Sequence, residues 1–142
     1  MKKKAKIEIV KRLLRLGSYL YQVGNAELAK CGLSQQHFVV LKEIQERGPV
    51  SQKDLASDLL LRKSYTSKIV SFLLKKRLIA MKHSKVDRRY TELIISKTGL
   101  HVVNVCMRNL NIWNDNWLRD LSDKEVTDTL VRLNKLTNLI KN

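Results

Sequence analysis

The stretch Leu61-Arg62-Lys63-Ser64-Tyr65-Thr66-Ser67-Lys68-Ile69-Val70-Ser71-Phe72-Leu73-Leu74-Lys75-Lys76 decides how the rest of the chain is read. At about 100° per residue it forms a helix with two unlike faces. Thr66, Ile69, Val70 and Leu73 fall on one side, while Ser64, Ser67, Lys68, Ser71 and Lys75 fall on the other. A helix face meant only for water usually mixes Glu with Lys, which favour the helix and pair at i,i+4. This face has no acid and is rich in hydroxyls, which suits an anionic partner of defined shape.

Immediately upstream, Val50-Ser51-Gln52-Lys53-Asp54-Leu55 places a Ser N-cap, an acid three residues on, and an apolar pair at N′ and N4. That is a capping box with its hydrophobic staple, and Asp54 in place of Glu predicts a weaker back-bond. The helix it opens runs to about Asp58, with Leu55, Ala56 and Leu59 inward, and breaks through Leu60-Leu61-Arg62. A short capped helix, a tight turn and a longer basic helix make a helix-turn-helix, whose second helix enters the major groove. Downstream, Leu78–Lys82 and Tyr90–Ile95 read as two strands around the basic tip His83-Ser84-Lys85-Val86-Asp87-Arg88-Arg89, which makes a hairpin, or wing.

Farther out, residues from about Lys4 to Lys30 form a helix with Ile7, Val10, Leu14, Gly17 and Tyr21 on one stripe, widened by Leu13, Leu16 and Leu20. It ends at Cys31-Gly32, with Gly32 a C-terminal αL residue. Ser34 caps the next helix, which turns Phe38, Leu41 and Ile44 inward and stops at Arg47-Gly48-Pro49. Ser96-Lys97-Thr98-Gly99 opens a long helix reaching to about Asp120, its inner side carrying Val103, Cys106, Met107, Leu110, Trp113 and Trp117. Leu121–Val126 is a second capping box with staple; the helix after it carries Val126, Leu130, Leu133, Leu136 and Ile140 at heptad-like spacing.

Composition narrows the function. In 142 residues, 28 Lys or Arg face 13 acids, a net charge of +15, which points to nucleic acid or an anionic membrane surface. No apolar run approaches the roughly 20 residues of a spanning helix, and Met1-Lys2-Lys3-Lys4 leads into an amphipathic segment, so neither a membrane span nor a signal peptide is expected and the protein is placed in the cytoplasm. Cys31 and Cys106 lie far apart without a Cys-x-x-Cys, so no disulfide framework is indicated. One Pro, five Gly and no low-complexity segment leave no linker at which to cut the chain. With no acid pair, nucleophile with base, Gly-rich phosphate loop or metal triad, neither an enzyme nor a cofactor or metal is expected.

Five pieces in fixed order carry a resemblance. These are Leu33-Ser34 with Leu41, Val50–Ala56, Ser67–Val70 before Leu73–Ile79, Asp87-Arg88-Arg89, and Ile95–Gly99. The segment from Leu33 to Gly99 resembles the MarR (multiple antibiotic resistance regulator) family of winged helix-turn-helix transcriptional regulators. The resemblance implies a mainly α fold with a small β-hairpin wing. Residues 33–99 would be the DNA-binding lobe within a single domain over 1–142, with 4–30 and 100–142 as N- and C-terminal dimerisation helices. Two departures stand out: Arg77 occupies the place of a helix-ending Gly, and Ser96 that of a common Thr.

The resemblance also implies site residues. Ser64, Ser67, Lys68 and Ser71 would face the major groove of double-stranded DNA, flanked by Lys63 and Tyr65. Lys68 is the best candidate for a contact to guanine, because hydroxyls alone read bases with little selectivity. Arg62 begins the helix and could as well bind a phosphate. Ser51 and Lys53 would meet phosphate at the start of the preceding helix. In the wing, Lys85, Arg88 and Arg89 would reach the minor groove or backbone, with Asp87 holding the hairpin.

The apolar stripes on the terminal helices exceed what a winged-helix core can bury, and must be covered by each other and by a second copy. A homodimer would set two recognition helices about 34 Å apart and read a near-palindrome. The leading reading is a repressor released by a small-molecule effector; the alternative is an architectural DNA binder without sequence selection. Cys31, His37 and Cys106 could converge below the dimer helices as a zinc or thiol-oxidation sensor, although free Cys is often a small apolar core residue. Trp113 and Trp117 are read as packing.

Overall fold

Four serines mark where helices begin. In the computed structural model, which describes residues 2–141, the hydroxyls of Ser34, Ser51, Ser96 and Ser122 accept the backbone N–H of His37, Asp54, Gly99 and Glu125 at 3.2, 3.1, 3.0 and 3.1 Å. Each satisfies a donor that the first turn of a helix leaves orphaned. At Ser122 the box closes, because its N–H donates to the Glu125 carboxylate at 3.1 Å. At Ser34 it closes on His37, whose Nδ1 accepts the Ser34 N–H at 3.1 Å. The shorter Asp54 side chain returns no bond to Ser51 among the described residues.

The elements in chain order are α1 (Lys2–Ala29), α2 (Gln35–Arg47), α3 (Gln52–Asp58), α4 (Lys63–Lys75), β1 (Ile79–His83), β2 (Thr91–Ile95), α5 (Lys97–Leu118) and α6 (Asp123–Lys141). The fold is thus mainly helical with one small hairpin, as the sequence indicates, and most element boundaries fall within a residue or two of those expected.

The chain separates into two units, the first ending at Arg108 and the second beginning at Asn109. The boundary falls inside α5, at a place where no Gly, Pro or Ser-rich stretch announces it.

In the first unit α2, α3 and α4 close on one core. Leu41, Ile44, Leu55 and Leu73 are fully buried, and Phe38, Ile69 and Val70 nearly so. Burial of each such side chain contributes about 1.5–3 kcal/mol. Thr66 joins them at no polar cost, since its hydroxyl donates to the Arg62 carbonyl at 3.0 Å. β1 and β2 pair antiparallel, with Ile79 opposite Ile95, Met81 opposite Leu93 and His83 opposite Thr91. Val50 adds a bridge to Leu93 through two backbone hydrogen bonds of 3.1 and 2.7 Å. The root of the hairpin is thereby tied to the residue that staples α3.

Among the described residues, two other than glycine adopt the left-handed region: Leu60, with φ 54°, and Arg77, with φ 60°. Such a conformation is costly for a residue with a Cβ. Arg77 therefore makes the turn expected of a Gly, and Ser96 helps hold it there, its hydroxyl donating to the Arg77 carbonyl at 2.7 Å. Gly99 lies so close to the Leu78 carbonyl that an added Cβ would collide with it.

Within the second unit, Trp113 and Trp117 pack ring on ring with centroids 5.4 Å apart. Trp117, expected on an inner face, is 46% exposed. No residue of α6 is buried. In the first unit α1 buries only Gly24 and Leu28. The stripes expected to be covered therefore stay open in the single chain, Ile7 and Leu14 on α1 and Leu130 and Ile140 on α6 among them.

Candidate nucleic-acid interface

On α4 the two faces separate as the sequence pattern requires. Thr66, Ile69, Val70 and Leu73 are buried, whereas Ser64, Ser67, Lys68, Ser71 and Lys75 are all exposed. The turn after α3 brings Leu60 into its left-handed conformation and delivers Arg62 as the N-cap residue. Its side chain makes no capping hydrogen bond, so its guanidinium stays available. Lys63 is exposed beside it.

One residue that the sequence reading passed over shapes this face. Gln52, at the first position of α3, donates from Nε2 to the Ser67 hydroxyl at 2.6 Å. The Ser67 oxygen is thus oriented from α3, and its own proton remains free to donate outward. A side chain capable of such a reach at the start of the supporting helix was the only available signal. Ser51 is used at home, as cap of α3, while Lys53 stands exposed next to it.

The opposite flank of α4 meets α1 and α2. Tyr65 lies near Tyr21 of α1, whose phenol is pushed up by burial and then by Tyr65, and drawn down by a hydrogen bond with Gln36. Phe72 stacks on His37, and the Lys76 ammonium sits 5.4 Å from the Phe72 ring centroid, within cation–π range.

At the wing, Ser84 and Asp87 shape the tip. The Ser84 hydroxyl accepts the N–H of Val86 at 3.2 Å and of Asp87 at 3.4 Å. The Asp87 carboxylate accepts the Arg89 backbone N–H at 3.0 Å and the guanidinium through contacts of 2.7–3.1 Å. These bonds hold the carboxyl below its ordinary range. Asp87 therefore positions Arg89, whereas the Arg88 side chain has no acid partner among the described residues; the Arg88 carbonyl accepts from His83 Nδ1 at 3.1 Å. Lys85 and Val86 are exposed at the tip. An open cleft of about 670 Å³, lined by Ser51, Lys53, Asp54, Ser84 and Asp87, separates the wing from the start of α3.

The three sensor candidates do not share one fate. Cys31 and Cys106 are brought together, 75 positions apart in sequence, while His37 is committed to the α2 cap and the Phe72 ring. Burial, followed by hydrogen bonding and charge from Cys31, pushes the Cys106 thiol up to about 12. A thiol so protonated is a weak nucleophile and a weak metal ligand. Among the described residues no group of three or more His, Cys, Asp or Glu is placed to hold a metal ion, and no helix is long and apolar enough to cross a membrane.

A capped short helix, an exposed basic-hydroxyl second helix and a basic hairpin behind it make a winged helix-turn-helix arrangement. A model of the MarR family matches residues 33–91, the winged helix-turn-helix segment. No curated protein sequence matches the chain significantly. Solved structures match over nearly its whole length. The regulator BldR from Sulfolobus solfataricus is 24% identical, with a TM-score of 0.87 over 97% of this chain and 98% of that one. A MarR family regulator from Listeria monocytogenes complexed with a 26mer DNA is 20% identical, with a TM-score of 0.86 over 93% and 88%. CouR from Rhodococcus jostii bound to p-coumaroyl-CoA is 20% identical, with a TM-score of 0.83 over 90% of each chain. At these identities the likeness is one of fold.

Proposed function

We propose that the protein is a homodimeric repressor that reads a pseudo-palindromic operator through α4 and the wing, and is released by a small-molecule effector. The observation that carries this reading is the acid-free face of α4, with Ser64, Lys68 and Ser71 exposed and Ser67 oriented by Gln52. Lys68 is the side chain suited to guanine O6 and N7. On this reading Arg62, Lys63 and Lys53, all exposed, meet phosphate, and Lys85, Arg88 and Arg89 meet the backbone or minor groove beside the major-groove contact.

The dimer rests on the apolar faces of α1 and α6, on which Ile7, Leu14, Leu130 and Ile140 are 56–79% exposed. Faces of this kind mark association surfaces. An effector would act only through its differential affinity for DNA-competent and DNA-incompetent spacings of the two lobes. The Listeria structure contains DNA and CouR an acyl-CoA, which supports both halves of the proposal.

The test is selection of bound sequences from a random DNA pool. Recovery of a short palindrome with half-sites about one helical turn apart is expected. Uniform recovery of all sequences would favour the second reading, an architectural binder, for which the net charge of +15 speaks. Sedimentation supplies the other arm: Leu14→Asp or Leu136→Asp should convert a dimer to a monomer.

A further inference from the structure

The excess positive charge is not confined to the winged-helix lobe. Residues 33–99 carry fourteen Lys or Arg and six acids, residues 100–142 are nearly balanced, and residues 2–15 carry seven Lys or Arg against Glu8 alone. Six of the fifteen excess charges therefore lie on the first four turns of α1, outside every element assigned to the recognition of DNA. All seven of these cations are exposed, and among the described residues only Arg12 has an acid partner there, Glu8 at 2.9 Å.

Their arrangement is oriented. At about 100° per residue, Lys4, Lys11 and Arg15 fall within a narrow arc, on the side of α1 away from Leu13, Leu16 and Leu20. Spaced seven and four residues apart, with Glu8 on the same flank between the first two and engaged by Arg12, they form one stripe about 17 Å long at 1.5 Å rise per residue. Its Lys11 edge borders Ile7, Val10 and Leu14, with which Lys11 lines an open groove, while Lys4 and Arg15 are exposed. The pattern does not serve the helix itself. The first turn holds no acid, so its lysines oppose the helix dipole. Lys2 with Lys6 and Lys11 with Arg15 are like-charged i,i+4 pairs, which destabilise an isolated helix. Such a stripe fits a polyanion with closely and regularly spaced charges.

We propose that the Lys4–Lys11–Arg15 stripe of α1 is a second, sequence-independent contact surface for the phosphates of duplex DNA, additional to α4 and the wing. Duplex DNA is the polyanion that the proposed reading already assigns to α4 and the wing, and its charge density is what a linear row of exposed cations matches. The contact adds affinity for DNA beyond the operator, either the flank of the bound duplex or a second duplex, and adds no base discrimination. It rests on the DNA-binding reading above.

The test uses the full chain and the triple variant Lys4→Gln/Lys11→Gln/Arg15→Gln, whose changes touch no buried side chain. Binding is measured across a salt series on a selected duplex alone, on the same duplex with long random flanks, and with a second labelled duplex present. Helicity by circular dichroism and mass by sedimentation verify that the variant is intact. On flanked DNA or in capture of the second duplex, the variant should lose about tenfold in affinity and its log K against log salt slope should flatten by about 2 to 3. Preference for the selected sequence over a scrambled one should be unchanged. An intact variant with wild-type affinity and slope on every duplex overturns the proposal while leaving the operator reading in place; absence of DNA binding by the wild-type chain overturns both. Loss of binding to anionic phospholipid vesicles, with DNA binding untouched, assigns the stripe to a membrane surface instead.

Discussion

The imidazole of His37 lies flat on the ring of Phe72, with centroids 3.8 Å apart and planes 9° from parallel. His37 opens α2 and Phe72 belongs to α4, so this stack joins the cap of one helix to the flank of the proposed recognition helix. Because Nδ1 accepts the Ser34 N–H, the folded state requires that nitrogen unprotonated. Burial first, and the Lys76 ammonium second, lower the His37 pKa.

A histidine whose folded pKa is lowered binds fewer protons folded than unfolded, so its linkage makes stability rise with pH. The contribution is intact above the unfolded value, near 6.5, and declines as pH falls below it. Melting temperature should therefore be lower at pH 5.5 than at pH 7.5. His37→Gln, which keeps a residue able to close the capping box, should remove most of that difference. Equal pH dependence in both proteins would exclude His37 as its source.

The face of α4 and the wing should separate in titrations. On the proposed reading, Lys68→Ala costs roughly 1–3 kcal/mol on the selected site and much less on random DNA. Arg88→Ala instead weakens binding to all sequences alike and flattens the salt slope by about 1. An equal Lys68→Ala loss on both DNAs would reduce that residue to a phosphate contact; an unchanged slope would remove Arg88 from the interface.

With its thiol pushed up to about 12 and only 1% of its surface exposed, Cys106 should resist alkylation by iodoacetamide in the native protein through pH 9. It should react at once in denaturant, since the thiolate is the nucleophile. Native-state labelling detected by peptide mass would contradict this placement.

The turn at Arg77 stores backbone strain. Arg77→Gly should raise stability by about 0.5–1 kcal/mol, the relief of a left-handed residue outweighing the added chain entropy. Ser96→Ala, which strips the Arg77 carbonyl of a 2.7 Å partner and uncaps α5, should lower it by about 1–2 kcal/mol. Denaturant midpoints at constant m-value measure both.

What could be read in advance was what local rules encode. Serine caps and a 3.6-residue period located every helix, and the division of α4 into buried and exposed faces followed from the period alone. The strained turn at Arg77 was visible because a Gly was missing from an otherwise matching pattern. The one at Leu60 was not, since nothing local distinguishes a leucine that neighbouring helices force into the left-handed region. The Gln52–Ser67 bond spans 15 positions and the Cys31–Cys106 approach 75; both depend on how packed elements meet, which no short-range pattern records. For the same reason the sequence leaves His37 open as a sensor candidate beside Cys31 and Cys106, although its ring is occupied by Ser34 and Phe72.

The hydrogen bond from Gln52 to Ser67 bears on how a DNA code would be transplanted. On the proposed reading, one hydroxyl of the base-facing set takes its direction from a neighbouring helix, so residues 63–75 are not a self-contained cassette. Grafted alone onto a related scaffold, they would carry their side chains but lose one of their aims. A faithful transfer would move Gln52 with them, and new specificities are better sought by varying positions 52 and 67 as a pair.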